Sequence, residues 1–314
     1  MSAAIDVRGL RKSYGEKLVL DGIDLNVAEG TIFSLLGPNG AGKTTAVQIL
    51  STLVAADAGE IRVAGHDLHQ SPEAVRAAIG VTGQFSAVDG LMTGRENLIL
   101  MADLHHLGKQ EARRRADELL EQFDLADAGK KLASTYSGGM KRRLDLAMTL
   151  VGRPQIIFLD EPTTGLDPRS RHRMWTLIRE LVAGGVTVLL TTQYLEEADQ
   201  LADRIAVLDH GRLVAQGTAE ELKRLAPGGH IRLRFTSPEE FTLAGQVLPT
   251  AVPNPEALVL QVPNDGSVHA LRDLLARIDD ASLEVDELTV HTPDLDDVFF
   301  AVTGQPTSEE VAAR

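Results

Sequence analysis

The stretch TIFSLLGPNGAGKTTAVQILSTL, residues 31–53, decides the fold of this 314-residue chain. Its first six residues predict a buried strand, a glycine-rich turn follows, and apolar residues at helical spacing predict a helix from about Lys43. The segment from Gly37 to Thr44 matches the pattern G-x-x-x-x-G-K-[ST] in the strand–loop–helix context that this pattern requires. The stretch therefore predicts a loop that binds the phosphates of a nucleoside triphosphate.

The residue types of this loop have chemical reasons. Glycines allow successive backbone N–H groups to turn towards one anion, and the N-terminus of the helix adds its dipole. Lys43 can then reach the β- and γ-phosphates, and the hydroxyl of Thr44 can ligate Mg²⁺. The pattern does not distinguish among the classes of P-loop protein.

A second motif, PQIIFLDEPTTGLDP at residues 154–168, places two carboxylates after an apolar run. Four consecutive apolar residues, Ile156 to Leu159, are typical of a central parallel strand that is buried on both faces. At the carboxyl end of this strand, Asp160 would hold the hydration shell of Mg²⁺, and Glu161 would orient or activate the attacking water. A single acidic residue after a strand is common, but two beside a phosphate loop indicate hydrolysis.

Seven elements, which stand in the order of the family, resemble an ATP-binding cassette (ABC) nucleotide-binding domain over residues 5 to about 225. Besides the phosphate loop and the carboxylate pair, they are Tyr14, Gln84, YSGGM at 136–140, TTGLDP at 163–168 and Gln193. The predicted fold is therefore α/β: a P-loop NTPase with an antiparallel β subdomain and a helical subdomain at about 85–150. A small C-terminal α/β domain would follow it.

The resemblance implies a role for each matching position. Tyr14 would stack on adenine, Gln84 would bridge Mg²⁺, water and a partner permease, and Asp167 would meet the opposite subunit. The implied ATP-binding residues are Tyr14, Gly37, Pro38, Asn39, Gly40, Ala41, Gly42, Lys43, Thr44, Thr45, Gln84, Ser137, Gly138, Gly139, Asp160 and Asp167. The implied catalytic residues are Glu161, Gln193 and Lys43, and the implied Mg²⁺ ligands are Thr44, Gln84 and Asp160, the last through water.

The signature segment predicts a second anion-binding surface. Residues 137–139, Ser-Gly-Gly, open a helix, so a hydroxyl and unobstructed N–H groups face the same point. By resemblance, this surface completes the ATP site of another cassette, arranged head to tail, so a second copy of the chain is the expected partner. Met140 departs from the glutamine that is usual in the family. The basic run 141–143 is interpreted as a solvated or ion-paired helix face.

Gln193 follows a third predicted strand, Val186 to Leu190 with two threonines after it, beside the Asp160 strand. Parallel α/β sheets bind ligands at this end of their strands. Most cassettes have a histidine here. A glutamine amide can donate a hydrogen bond to a γ-phosphate and accept another, but it cannot become a cation or transfer protons. Glu161 is then the sole candidate base.

The motifs around residues 85–98, 136–148 and 191–199 are most similar to the daunorubicin-resistance type of exporter ATPase, as is the C-terminal extension ending in LDDVFFAVTG. This resemblance implies a separate membrane permease, a location at the cytoplasmic face of the membrane, and export of a drug, polyketide or lipid. The predicted domains are an ABC domain at 1–226, an accessory α/β domain at 230–304 and a tail at 305–314. The accessory domain shows no catalytic pattern and is expected to regulate or stabilise a dimer.

Composition excludes several classes of protein. The absence of cysteine rules out disulfides, thiolate metal sites and a cysteine nucleophile. No apolar run approaches the ~18 residues that span a bilayer, so we expect a soluble chain that reaches the membrane through its partner. The net charge is −14, and most of the excess negative charge lies after residue 229, where the sequence has 15 acidic and 5 basic residues. That balance argues against nucleic acid as a ligand.

Two other classes of protein are alternatives to an exporter ATPase. A soluble ABC ATPase of DNA repair or translation would share the phosphate loop, but it would carry a coiled-coil insertion, a cysteine zinc module or a second cassette. A switch GTPase would carry the guanine-reading motif N-K-x-D. None of these features is present in the sequence.

Overall fold

A computed structural model describes residues 2–83, 87–226, 229–264 and 267–303. The chain divides into two units, residues 1–219 and 220–314. The domain boundary that the sequence predicts, at residue 226, therefore lies inside the second unit.

The described residues of the first unit form ten strands. In chain order they are β1 (Ala3–Tyr14), β2 (Lys17–Ala28), β3 (Ile32–Leu36), β4 (Ala58–Val63), β5 (His66–Asp67), β6 (Ile79–Thr82), β7 (Ile156–Asp160), β8 (Thr187–Thr192), β9 (Arg204–Asp209) and β10 (Arg212–Gly217). Its helices are α1 (Lys43–Leu50), α2 (Pro72–Ala78), α3 (Gly94–Leu104), α4 (Lys109–Gln122), α5 (Gly138–Thr149), α6 (Pro168–Ala183) and α7 (Leu195–Leu201). The helix α8 (Ala219–Lys223) begins where the units divide.

Two sheets organise this unit. An antiparallel sheet has the strand order β2-β1-β4-β5, and a second sheet has the order β10-β9-β3-β8-β7-β6. From β9 to β6 the strands of the second sheet are parallel, and β10 pairs antiparallel with β9. The strand order places β8 between β3, which leads into the phosphate loop, and β7, which ends in the carboxylates. This is the α/β P-loop architecture with an antiparallel β subdomain, and the predicted fold class is confirmed.

The parallel sheet is buried on both faces, as the apolar run of β7 predicts. Ile157 and Leu159 pack in a core with helices α3 to α6. Ile156 and Phe158 point to the opposite core, which the antiparallel sheet and α1 complete. The helices of the first core begin with side-chain caps: Thr93 and Glu96 form a capping box at α3, and Ser137 caps α5.

The second unit continues with β11 (His230–Arg234), α9 (Pro238–Val247), β12 (Val252–Asn254), β13 (Val259–Pro263), α10 (Val268–Asp280), β14 (Glu287–His291) and α11 (Leu295–Thr303). From β11 to β14 the order is β-α-β-β-α-β, and the strands form an antiparallel sheet in the order β12-β13-β11-β14. This is the split β-α-β arrangement of ferredoxin-like domains. The sequence did not predict β12, a three-residue strand that contains Pro253.

Candidate nucleotide-binding site

The phosphate loop connects β3 to α1 and is closely packed at two glycines. Gly42 has φ of 111°, and a Cβ there would lie 2.6 Å from Cδ2 of Leu20 on β2. A Cβ on Gly37 would lie 2.2 Å from the carbonyl oxygen of Leu208 on β9. Only glycine meets both conditions, because the first position needs a left-handed backbone and the second leaves no room for a side chain.

Lys43 is buried at the start of α1, with 5% of its surface exposed. Its Nζ donates to the carbonyl oxygens of Gly37 at 2.7 Å and Pro38 at 3.1 Å. The same nitrogen lies 3.5 Å from Oε1 of Glu161. Burial lowers the pKa of Lys43, and the neighbouring carboxylates of Glu161 and Asp160 oppose that shift. The phosphate loop and the carboxylate pair are therefore in direct contact through this ammonium group.

Asp160 is the last residue of β7, and two threonine hydroxyl groups donate hydrogen bonds to its carboxylate. Its Oδ1 accepts a hydrogen bond from Oγ1 of Thr191 at 2.6 Å and another from Oγ1 of Thr44 at 3.3 Å. A carboxylate and a hydroxyl beside a phosphate loop are the hard oxygen donors that Mg²⁺ prefers, with substrate phosphates and water as its other ligands. No group of three or more His, Cys, Asp or Glu side chains among the described residues could hold a metal ion without other ligands.

Glu161 adopts a left-handed backbone conformation, with φ of 49°. Its N–H donates to the backbone oxygen of Thr191 at 3.2 Å and to Oγ1 of the same threonine at 3.1 Å. The hydroxyl of Thr164 donates to Oε2 of Glu161 at 3.2 Å. A non-glycine residue in this region is costly and is held by its surroundings, a condition that is concentrated at functional sites. Here β8 and the turn after β7 provide that support.

Gln193 follows β8 directly, at the sheet edge where the phosphate loop and the carboxylates meet. Its neighbour Thr192, the last residue of β8, pairs with Leu36 on β3, and its backbone oxygen accepts a hydrogen bond from the N–H of Gly37 at 3.1 Å. On the other side of the strand, Thr191 pairs with Asp160. The half-buried Gln193 thus stands between both motifs.

The signature segment and Asp167 form a second cluster. Oγ of Ser137 accepts from the N–H of Met140 at 3.2 Å and caps α5, while Gly138 lies on the surface. A Cβ on Gly139 would lie 2.7 Å from Oγ of Ser170 on α6. The same hydroxyl donates to Oδ2 of Asp167 at 2.6 Å, so the exposed Asp167 caps α6 next to the signature. The structure brings these residues together at the N-termini of two helices.

Of the two interpretations of the basic run 141–143, solvated or ion-paired, the second holds for Arg142 and Arg143, which form ion pairs with Asp145 and Asp124. Side chains of Arg142 and Arg143 are 12% and 19% exposed. Arg142 donates to carbonyl oxygens in the turn after β7, and Arg143 donates to that of Phe123 at 2.7 Å. The sequence alone does not indicate this burial, because the burial depends on the elements that α5 packs against.

Glu197 is a further buried group that the sequence did not single out. Its Oε1 accepts from Oγ1 of Thr163 at 2.7 Å and from Nε1 of Trp175 at 3.1 Å. Burial raises the pKa of this carboxyl, and hydrogen bonds from Thr192, Thr163 and Trp175 oppose the shift. One carboxyl at the acidic start of α7 therefore connects β8 to the loop that contains Asp167 through hydrogen bonds.

Tyr14, which is predicted to stack on adenine, lies on the antiparallel sheet. Tyr14 ends β1, is 48% exposed, and has Nζ of Lys12 at 5.3 Å from its ring centroid. Gln84 lies outside the described residues. The roles of all the predicted site residues, including Pro38 to Ala41 and Thr45, stay predictions.

Comparisons with known proteins decide the family. The family model described as ABC transporter matches residues 20–164. The chain is 51% identical to the daunorubicin resistance ATP-binding protein DrrA3 of Streptomyces coeruleorubidus, over 99% of each chain. This chain belongs to the ABC transporter family. It is 46% identical to the daunorubicin/doxorubicin resistance ATP-binding protein DrrA of Streptomyces peucetius, over 98% of this chain and 94% of that protein.

More distant relatives agree with the ABC assignment. Nod factor export ATP-binding protein I of Paraburkholderia xenovorans strain LB400 is 39% identical over 96% of this chain and 98% of its own. A solved structure of an ATP-binding subunit of an ABC transporter is 29% identical, covers 70% of this chain and 92% of its own, and has a TM-score of 0.63. The chain is thus an ABC-type ATPase that binds ATP. Among its described residues, no helix is long and apolar enough to cross a membrane.

Proposed function

We propose that this chain is the ATP-hydrolysing subunit of an exporter and that its ATP site lies at the carboxyl edge of the parallel sheet. The observation that carries the proposal is the contact between Lys43 and Glu161, 3.5 Å apart, at the end of the strand that terminates in Asp160. This contact joins a phosphate-binding cation to a carboxylate suited to activate water.

In this proposal each residue has one task. Lys43 leaves the carbonyl oxygens of its loop to bind the β- and γ-phosphates, and the N–H groups around Gly40 to Thr45 hold the phosphate oxygens. Glu161 orients the attacking water and accepts its proton. Thr44 and Asp160 would hold Mg²⁺, which neutralises charge on the phosphates when bound. Tyr14 would stack on the adenine ring.

Gln193 acts as a neutral sensor of the γ-phosphate. Its amide N–H can donate to that phosphate and its carbonyl oxygen can accept from a second subunit. Because an amide does not titrate near neutral pH, hydrolysis depends on Glu161 for proton transfer and not on residue 193.

Two copies of the chain would close on ATP head to tail. Ser137, Gly138 and Gly139 present a helix N-terminus at the surface, which suits the phosphates bound by the other copy. Asp167 stands beside this segment and would meet the opposite subunit. An interface that pairs the phosphate loop with the signature in both directions satisfies twofold symmetry.

The exporter assignment rests on identity along the whole length, because the resistance proteins match the C-terminal region as well as the ATPase. We infer that a separate permease, to which Gln84 would respond, holds the chain at the cytoplasmic face of the membrane. The cargo would be a drug, polyketide or lipid. The C-terminal region, predicted at 230–304, would stabilise or regulate the dimer.

Affinity purification of the full-length chain from detergent-solubilised membranes tests the partner. Mass spectrometry should identify a multi-span permease at a level comparable to the chain itself. A matched purification of Lys43→Ala controls for dependence on nucleotide. Recovery of ribosomal proteins or nucleic acid in place of a permease would contradict the exporter and favour a soluble ABC ATPase.

A further inference from the structure

The signature helix α5 carries a charged pair that points away from the signature itself. Arg142 and Asp145 lie one helical turn apart, with 12% and 5% of their side chains exposed, and NH1 of Arg142 is 3.4 Å from Oδ2 of Asp145. Burying a guanidinium is costly unless its donors are satisfied. Its contacts therefore indicate what the arginine does.

Arg142 makes a set of contacts with the turn that holds Glu161. NH2 donates to the backbone oxygens of Asp160 at 3.0 Å and Glu161 at 3.2 Å, and Nε donates to that of Pro162 at 2.9 Å. Three successive carbonyl groups of the catalytic turn thus point at one side chain. This is the turn in which Glu161 holds φ of 49°.

The same pair also holds both sides of the segment that contains Gln84. NH1 of Arg142 donates to the backbone oxygen of Gly83 at 2.9 Å. Oδ1 of Asp145 accepts from the N–H of Ala87 at 3.1 Å. Gly83 and Ala87 are the described residues nearest to residue 84 on either side.

Only arginine can make these contacts together. Its guanidinium has five N–H donors in a rigid fork, and five acceptors surround it here. A lysine offers three donors from a single nitrogen, and a glutamine offers two. The side chain therefore acts as a planar brace between α5, the catalytic turn and the strand end at Gly83.

We propose that Arg142 is a positioning residue for ATP hydrolysis: it orients the backbone of the Asp160–Pro162 turn so that Glu161 is held at the attacking water. Asp145 in turn fixes Arg142 and ties Ala87 to the same brace. The inference rests on the proposed role of Glu161 as the base. Arg142 touches neither the phosphate loop nor, in this account, ATP, so it acts on turnover and not on nucleotide binding.

The test compares Arg142→Gln with Arg115→Gln in the full-length chain. Arg115 is a matched control, since its side chain is 18% exposed and NH2 donates to the backbone oxygen of Leu150 at the end of the same helix, at 2.9 Å. Arg142→Gln should lower kcat by about 10- to 100-fold, because small displacements of a reacting group have costs of that size. KM and the dissociation constant for ATP should stay within about twofold, because a uniform loss of binding would appear in KM.

Arg142→Lys supplies the conservative variant and a second test if the glutamine variant does not fold. It retains the charge but not the fork, so we expect a thermal midpoint near that of the original chain and a kcat that is restored only in part. A merely structural role predicts full recovery with lysine. Full recovery would overturn the proposal, as would an Arg142→Gln enzyme that turns over as fast as Arg115→Gln.

A parallel measurement on Glu161→Gln separates this proposal from the one on which it rests. If Glu161→Gln hydrolyses ATP normally, the base is wrongly assigned and the proposed function fails at that point. If Glu161→Gln is inactive but Arg142→Gln retains kcat, the assignment of Glu161 stands and the positioning role alone is wrong.

Discussion

The two units of this chain bury different kinds of side chain. Among the described residues, the first unit buries twelve polar or charged residues, including Lys43, Asp160 and Glu197, whereas the second buries only Asn264. The core of the second unit is apolar, and charged side chains such as those of the ion pair between Arg234 and Asp286 lie at its surface.

That difference distinguishes the unit that contains the candidate ATP site from the other. Buried polar groups cost folding free energy unless they are paired, so they collect where chemistry needs a fixed charge or hydroxyl. In the first unit, Lys43, Asp160 and Thr191 lie together at the sheet edge of the phosphate loop. The described residues of the second unit contain no comparable group of buried polar side chains. Single substitutions should therefore have large effects on catalysis in the first unit and small ones in the second.

Lys43→Ala should have the largest effect on nucleotide binding. It removes charge-assisted hydrogen bonds to phosphate, each worth about 1.5–3 kcal/mol, so ATP should bind about 10- to 100-fold more weakly. Titration with a fluorescent nucleotide measures this, and exposed Lys130→Ala is the control. Thermal melting should show an intact fold, because Lys43 is a buried cation whose removal relieves desolvation. Equal affinity in Lys43→Ala and Lys130→Ala would show that the loop does not bind phosphate as described.

Gln193→Ala should slow steady-state hydrolysis by about tenfold, the loss of one hydrogen bond to a charged group. Gln193→His should be tolerated, because an imidazole can also donate to the γ-phosphate. Both are compared with the original chain at saturating ATP. An alanine variant with full activity would remove Gln193 from the site.

Glu197→Gln should change the dependence of stability on pH. Burial raises the folded-state pKa of Glu197. Between the unfolded and folded pKa values the folded form therefore holds a proton that the unfolded form has lost. The free energy of unfolding falls as pH rises through this window and stays lower above it. The neutral amide avoids that loss, so Glu197→Gln should raise Tm at pH 8 by about 2–4 °C and leave it unchanged near pH 4.

The exposed neighbour Glu196 provides the control for that experiment. Differential scanning fluorimetry of Glu196→Gln should reproduce the original pH profile. If Glu197→Gln lowers Tm at pH 8, the carboxyl is ionised in the fold and its hydrogen bonds outweigh burial.

Deleting the chain after Ala226 should have the smallest effect on the ATP site itself. The dissociation constant for ATP should stay within about twofold, because the site residues all lie in the first unit, while the fraction of ATP-bound dimer falls. Analytical ultracentrifugation with ATP measures the dimer. If both the dimer and the ATPase rate are unchanged, the accessory unit neither stabilises nor regulates it.

Local patterns predicted most of the fold and the sheet edge at which the candidate site lies. The strand–loop–helix at residues 31–53 and the apolar run of β7 are determined by periodicity and glycine placement, so their positions agree with the structure within a residue or two. The place of Gln193 beside Asp160 also followed, because the ends of parallel strands meet at one edge. The domain boundary at residue 226 stays a prediction.

Side chains that act through tertiary contacts could not be predicted in this way. Arg142 stands in a basic run, Thr191 in a strand and Glu197 in an acidic helix start, and each looks ordinary in its local context. Their importance arises from what lies opposite: three carbonyl groups, a carboxylate, and an indole with a hydroxyl. No pattern within one element contains that information.

By our proposal, Glu161 activates water at an ATP site closed by two copies of the chain. Glu161→Gln tests it most directly, with ATP turnover and the ATP-bound dimer measured on the same sample. The claim predicts that kcat falls by about 10²- to 10⁴-fold, the usual contribution of a general base. ATP binding should persist, and the dimer should accumulate. Turnover at the original rate, or an inactive variant that never dimerises with ATP, would contradict it.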